Sequence, residues 1–168
     1  TNKYYNGVVP QPNEYSDVDE ATLAEMRAYP AVIASSIERY RFREALTELM
    51  NLARLGNKYL ADEEPWKMIK ENPERVQTQM YVALQIATAL AVLSEPFLPF
   101  TANKLKGILK IDERPEPVIS MGIVDETLSA NDAKRSHYTS WNDVSITADL
   151  IPAGHNIGQA ELLFAKIE

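Results

Sequence analysis

The chain has no cysteine among its 168 residues. Disulfides, thiolate catalysis and cysteine-ligated zinc are therefore excluded, and the composition suits the reducing cytoplasm, where we expect the protein to act. Histidine is almost as scarce. His137 and His155 lie 18 residues apart, without an HxxxH or HExxH pattern. We therefore expect no metal site, and we expect His155 to be hydrogen-bonded within a glycine-flanked turn.

Long apolar runs and nucleotide-binding loops are also lacking. The most apolar stretch, residues 82–93, contains Gln85 and is too short to cross a bilayer. The first residues lack the apolar segment of a secretory signal. No phosphate-binding glycine loop and no GxSxG nucleophile motif occurs. We expect neither a membrane partner nor a catalytic residue in this chain.

Positively charged residues are outnumbered by acidic ones, and the formal net charge is −7. A protein that holds nucleic acid mainly through phosphates is usually basic. RNA binding here would need a small local patch and contacts to bases; otherwise the acidity favours solubility. The local basic residues are Arg39, Arg41 and Arg43, followed by Arg54 and Lys58 one helical turn apart. Such residues are more often solvated or paired with nearby glutamates.

Apolar residues at helical spacing are what the chain does contain. The segment after Asn72-Pro73-Glu74, a strong helix start, carries two apolar faces and is predicted to be central and buried. The segment before it is predicted to bury one stripe, formed by Phe42, Ala45, Leu46, Leu49, Met50 and Ala53. The predicted helices cover residues 19–40, 42–60, 73–94 and 102–109, with one further turn at 66–70.

The helix ends are predicted from polar residues and prolines. Asp17 or Asp19 is expected to cap the first long helix, and Pro30 to break or kink it. Pro99, together with the proline at 96, is expected to end the central helix, and Thr101 to cap the next one.

The predicted fold class is all-α: an antiparallel helix bundle with a loop-rich C-terminal tail. We place the bundle at residues 1–110. Residues 111–168 are expected to form a loop-rich segment and a tail that packs back on the bundle, with a short helical turn near Trp141.

Trp66 is the strongest candidate for a binding residue. It follows Pro65 in the connection between two long predicted helices. An indole placed there either covers the ends of the helices or presents a flat face for stacking on a nucleobase, worth about 1–3 kcal/mol per base. The adjacent carboxylates Glu63 and Glu64 could support acid–base chemistry, but such pairs more often belong to an acidic, solvated loop, which is what we expect here.

Four stretches of the sequence carry a resemblance to a known family. They are residues 2–10 (NKYYNGVVP), 57–60 with 64–66 (NKYL and EPW), 93–99 (LSEPFLP) and 150–168 (from LIPAGH to AKIE). The helical part and the third stretch also occur in valyl-, isoleucyl-, leucyl- and cysteinyl-type class I synthetases. Together, and over essentially the whole chain, the four resemble the C-terminal anticodon-binding region of methionyl-tRNA synthetases.

The resemblance implies recognition of the CAU anticodon of methionine tRNA. The family's base-packing tryptophan falls on Trp66. Pro65, Asn57, Arg54 and Lys58 are the further candidate anticodon contacts.

The resemblance also implies what belongs elsewhere in a parent enzyme. The family's anticodon-reading asparagine and arginine would fall upstream of Thr1, so the first bundle helix is expected to be truncated. The HIGH-type and KMSKS-type motifs of the ATP site are absent from this sequence. Aminoacylation, with ATP and Mg²⁺ and with Zn²⁺ as a candidate metal, is therefore expected of a catalytic domain in the same polypeptide. We expect that domain and the tRNA as partners, and no cofactor in this chain.

Other interpretations stay open. The bundle could be a helical protein-interaction module in which the loop around Trp66 is only a surface, or the equivalent domain of a related class I synthetase. A free-standing enzyme is disfavoured by the lack of any catalytic motif.

Overall fold

The computed structural model describes residues 1–111, 140–147 and 149–163. Within these residues the regular structure is helical, and the one β contact is an isolated antiparallel bridge between Val8 and Asn156. The all-α prediction is confirmed for this part of the chain. The helices, in order, are α1 (Asn2–Tyr5), α2 (Asp17–Glu38), α3 (Phe42–Glu63), α4 (Pro65–Met68), α5 (Pro73–Leu93), α6 (Pro99–Leu109) and α7 (Trp141–Ile146).

Helix α2 is capped by Ser16, upstream of both predicted caps. The Ser16 hydroxyl accepts a hydrogen bond from the Asp19 N–H at 3.4 Å, and the Asp19 carboxylate accepts one from the Ser16 N–H at 2.9 Å. The prediction that Asp17 or Asp19 is the cap is therefore wrong, because Asp19 fills the third helical position of a capping box.

Pro30 does not break α2, which runs through it without interruption. The proline is buried, and its carbonyl accepts a hydrogen bond from Trp141 Nε1 at 3.3 Å. The predicted break is wrong because the packing of α2 on α3 and α7 outweighs the cost of an interior proline, about 3 kcal/mol. The alternative, a kink at Pro30, stays a prediction.

Helix α3 buries a face rotated from the predicted stripe. Ala45 and Leu49 are buried as expected, and Leu52 and Tyr59 complete that face. Three members of the predicted stripe are exposed instead: Phe42, Leu46 and Met50. The apolar pattern of α3 is wide enough to allow either face, and the positions of α2 and α5 select one of them.

Helix α5 is the predicted central helix. Asn72 caps it by accepting the Arg75 N–H at 3.1 Å, and Pro73 occupies its first turn. By length and composition α5 could span a membrane, but most of it is buried among the other helices. Its side chains enter two apolar clusters, one containing Val82 and Ile86 and the other Tyr81 and Leu84.

Helix α6 begins at Pro99, a residue that was predicted to end the preceding helix. Helix α5 already ends at Leu93, and Pro99 takes the first turn of α6 with Leu98 as the N-cap residue. Proline is favoured there because its fixed φ suits a helix and its missing N–H needs no partner. The predicted cap, Thr101, lies inside α6, so that prediction is wrong.

The described part of the tail, residues 149–163, packs on α5 and α6. The buried amide of Gln85 accepts the N–H groups of Leu150 at 2.7 Å and Ile151 at 3.2 Å. His155 Nε2 lies 2.8 Å from the carbonyl oxygen of Leu109, as expected for a hydrogen-bonded tail histidine. The turn predicted near Trp141 is present as α7. The rest of the loop-rich prediction lies outside the described residues, and the division at residue 110 stays a prediction.

Candidate functional site

The corner between α3 and α5 presents the candidate tryptophan. Helix α3 ends at Glu63, and Glu64 turns the chain with φ 41° and ψ 53°, in the left-handed region. Pro65 then starts the four-residue helix α4 and is buried. A non-glycine residue in the left-handed region is strained by about 1–2 kcal/mol, so tertiary contacts must hold this turn in place.

Trp66 leaves more than half of its side chain in solvent, with a relative exposure of 54%. Of the two uses considered for it, covering helix ends would bury the ring more completely. The exposed indole leaves a flat apolar surface available for a ligand. Next to it, Lys67 Nζ lies 2.7 Å from Glu64 Oε1, but both side chains are solvated, so this pair adds little stability.

The other candidate residues lie on the exposed surface of α3. Arg54, Asn57 and Lys58 are all exposed, and their spacing places them on neighbouring positions of one helix face. A rise of about 1.5 Å per residue puts Lys58 roughly 8 Å and Arg54 roughly 14 Å before the end of α3. Arg54 Nη1 donates to Asn51 Oδ1 at 2.7 Å rather than to a glutamate. The three residues thus lie in the second half of α3, which ends directly before the corner.

Beneath the corner lies a buried polar network that no sequence pattern predicted. Arg75, in the first turn of α5, forms ion pairs with Asp19 of α2 and with Glu63 of α3. Tyr59 donates its hydroxyl to Asp19 Oδ1 at 2.6 Å, and Gln79 Nε2 donates to Glu63 Oε2 at 2.7 Å. The network joins the three long helices where they approach Trp66.

Glu63 therefore differs from the solvated loop residue that was predicted. It is the last residue of α3 and is only 19% exposed, because α5 lies against it. Its neighbour Glu64 is the more solvated member of the pair. No local pattern distinguishes the two, since the partners Arg75 and Gln79 follow 12 and 16 residues later.

The network shifts the pKa values of its members. Burial acts to raise the pKa of the Asp19 carboxyl, but hydrogen bonds from Arg75 and Tyr59 outweigh it, and the pKa is lowered. The hydrogen bond to Asp19 raises the pKa of the Arg75 guanidinium. Burial, followed by the hydrogen bond to Asp19, raises the pKa of the Tyr59 hydroxyl. At neutral pH Asp19 is therefore a carboxylate and Arg75 a cation, which is the state that the ion pair needs.

A concave surface lies between α2, α5 and the tail, with a volume of about 680 Å³. Its lining includes Tyr81, which donates its hydroxyl to Asp149 Oδ1 at 2.6 Å. Burial and then this hydrogen bond raise the pKa of Tyr81. Tyr81 therefore stays protonated near neutral pH, and its hydroxyl holds Asp149 at the edge of the cleft.

A family model for the anticodon-binding domain of methionyl tRNA ligase matches residues 9–122. The chain belongs to this family. The match covers helices α2 to α6, and with them the corner that carries Trp66 and the network beneath it.

Relatives match the chain along its whole length. It is 66% identical over 170 residues to a methionine–tRNA ligase of Flavobacterium johnsoniae, covering 100% of the chain and 24% of that relative. It is 39% identical over 168 residues to a methionine–tRNA ligase of Bacteroides fragilis, covering 21% of that relative. The chain thus spans about a fifth to a quarter of the length of these ligases.

Solved structures show the same fold. The apo form of Mycobacterium tuberculosis methionyl-tRNA synthetase superposes with a TM-score of 0.75 and 20% identity, covering 99% of the chain and 29% of that structure. The complex of the same enzyme with methionyl-adenylate gives a TM-score of 0.72 and 22% identity, covering 96% and 27%. These likenesses confirm the helix-bundle architecture.

Proposed function

We propose that the chain reads the CAU anticodon of methionine tRNA by stacking an anticodon base on Trp66. The observation that supports this most is the half-exposed indole of Trp66, which lies on a corner that the Arg75–Glu63 ion pair attaches to α5. Base stacking on an aromatic ring contributes about 1–3 kcal/mol per base, and single-stranded loops are commonly read in this way. Pro65 orients the ring, and Asn57, Lys58 and Arg54 extend the contact surface along α3.

The charge of the chain supports reliance on base contacts. With a net charge of −7, few phosphates can be neutralised, so binding draws more on stacking and hydrogen bonds than on counterion release. The affinity should accordingly fall only shallowly with salt. The exposed Lys58 and Arg54 supply the local positive charge.

The wider reaction belongs to a longer polypeptide in this proposal. The relatives are ligases four to five times as long as their matched part. Their name implies attachment of methionine to tRNA, which we assign to a catalytic domain in the same polypeptide, using ATP and Mg²⁺ in the cytoplasm. This chain then contributes anticodon recognition, with the tRNA and that catalytic domain as its partners.

The test is replacement of Trp66 in the longest natural polypeptide that carries this chain. Trp66→Ala should weaken binding of a CAU anticodon stem-loop by about 5-fold to about 150-fold, while Trp66→Phe keeps part of the stacking. Trp141→Phe is the control, because Trp141 contacts Pro30 on α2 instead of facing the corner. Binding constants are measured for the CAU loop and for a scrambled loop. Equal affinity for the two loops in the wild type would refute the proposal.

One observation favours a second function. Phe42, Leu46 and Met50 form an exposed apolar stripe at i, i+4 and i+8 on α3, which is the spacing of a helical docking face. A protein-interaction module would use this stripe and tolerate changes at the corner. Unchanged tRNA charging in Trp66→Ala, together with loss of charging in Leu46→Glu, would favour this second function.

A further inference from the structure

The buried network holds both the side chain and the backbone of Glu63. Arg75 Nη2 lies 2.5 Å from Glu63 Oε2 and 3.0 Å from Asp19 Oδ1, so one guanidinium connects α2 and α3 to α5. Gln79, one turn later on α5, donates Nε2 to Glu63 Oε2 at 2.7 Å and to the Glu63 carbonyl oxygen at 3.3 Å. The final residue of α3 is thus fixed to α5 at several atoms.

This attachment lies directly before the strained turn that leads to the tryptophan. The Glu63 carbonyl is part of the peptide that joins it to Glu64, whose left-handed conformation redirects the chain into α4. Helix α4 has four residues, too few to be stable by itself. The Gln79 amide also reaches α4, since its Nε2 lies 4.0 Å from Met68 Sδ. The orientation of α4 therefore depends on its anchoring to α5.

Stability alone is a weak reason for charged groups at this place. Buried ion pairs often stabilise no more than apolar side chains of the same size, because both charges must be desolvated. Arginine differs from an apolar residue in its fixed, planar array of donors, which defines the relative position of several acceptors at once. The network therefore suits a role in fixing the relative positions of α2, α3 and α5.

We propose that Arg75, Gln79 and Glu63 are positioning residues that hold the α3–α4 corner so that Trp66 is preorganised for stacking on an anticodon base. The proposal rests on the proposed function, because it assumes that Trp66 contacts RNA. None of the three needs to touch the tRNA. Their effect comes from restricting the free corner to its binding conformation, which lowers the ordering cost of binding.

The most informative variant is Glu63→Ala in the longest natural polypeptide that carries the chain. Arg75→Ala is a poorer choice, because it also removes the partner of the fully buried Asp19. Glu63→Ala leaves that pair intact and puts a good helix former at the end of α3. Trp66 is the one tryptophan left in these 168 residues when Trp141 is replaced by phenylalanine. With any tryptophan outside them also replaced by phenylalanine, the fluorescence anisotropy of Trp66 reports the mobility of the corner.

We expect Glu63→Ala to lower the anisotropy of Trp66 and to raise the Kd for the CAU stem-loop by roughly tenfold, within the range expected for the loss of one stacked base. Glu63→Gln, which keeps an acceptor oxygen, should be intermediate. In tRNA charging the change should appear in KM for tRNA and leave kcat nearly unchanged. Asp62→Ala, which removes an exposed carboxylate from the same last turn of α3, is the matched control and should change Kd by about twofold or less.

A double-mutant cycle with Trp66→Ala decides whether Glu63 acts through the tryptophan. In the Trp66→Ala background, Glu63→Ala should cause no further loss of affinity. Additive losses would overturn the positioning role, because Glu63 would then act independently of the indole. A harmful Trp66→Ala with a silent Glu63→Ala overturns the positioning proposal alone. A silent Trp66→Ala overturns the proposed function and this inference with it.

Discussion

The buried carboxylate of Asp19 offers the sharpest test of how this bundle is held together. Its side chain has no solvent exposure and accepts hydrogen bonds from the Tyr59 hydroxyl, the Arg75 guanidinium and the Ser16 N–H. Asp19→Asn keeps the size of the side chain but removes its charge. The Arg75 cation then loses its most buried anionic partner. The NH2 group of the new amide also faces hydrogen-bond donors at a position where the carboxylate oxygen accepted hydrogen bonds.

The expected loss follows from the burial of the pair. Removing one partner of a buried ion pair costs about 3–5 kcal/mol, because the remaining charge stays desolvated without compensation. For a domain of this size each kcal/mol lowers Tm by about 2–4 °C, so Asp19→Asn should lower Tm by about 6–20 °C. Retention of the Arg75–Glu63 pair, which is partly solvated, favours the lower half of that range.

The assay is equilibrium unfolding by heat and by urea, with Asp17→Asn as the matched control. Asp17 lies in the same first turn of α2 but is exposed, so the same substitution there loses only its interaction with the helix dipole, about 0.3–1 kcal/mol. If the unfolding free energies of the two variants agree within about 1 kcal/mol, the buried network does not stabilise the fold as reasoned.

Two further predictions concern acid and the tail. The pKa of Asp19 is lowered on folding, so its stabilising contribution is complete above the unfolded value of about 3.9 and is lost as the pH falls through the folded pKa. Urea titrations below about pH 4 should therefore show a steeper loss of stability in the wild type than in Asp19→Asn; equal slopes would contradict this. Gln85→Leu, which leaves the N–H groups of Leu150 and Ile151 without their acceptor, should cost roughly 2–4 kcal/mol. It should also speed hydrogen exchange of those two amides, and unchanged exchange would count against the role of Gln85.

Local signals were sufficient for most of the helices. Asn72 and Pro73 predicted the start of α5, and the two apolar faces of this helix predicted its central position. Both predictions succeeded because they depend on residues that are close together along one helix. The wrong caps of α2 and α6 were local errors, since Ser16 and Leu98 lie within three residues of the predicted caps. Other errors occurred where a distant contact decided the outcome. Pro30 lies in an unbroken helix because Trp141, 111 residues away, packs and donates a hydrogen bond there.

The residues of the candidate site also fall into those that local sequence identified and those that depend on distant partners. Trp66 was identified from its place after Pro65 and from the family resemblance, and the structure shows its ring exposed at the corner. Glu63 was misjudged as solvated because its partners lie on another helix. A pair of adjacent glutamates looks the same in sequence whether or not a guanidinium will meet one of them.

By itself, the sequence determined the helical class and the central helix, since both depend on residue type and short-range spacing. The resemblance to a known family identified the family and made Trp66 the candidate contact. Only the tertiary structure decided that Asp19, Glu63 and Arg75 share one buried site. Charged side chains are buried where partners compensate their desolvation, and those partners come together only when α2, α3 and α5 pack.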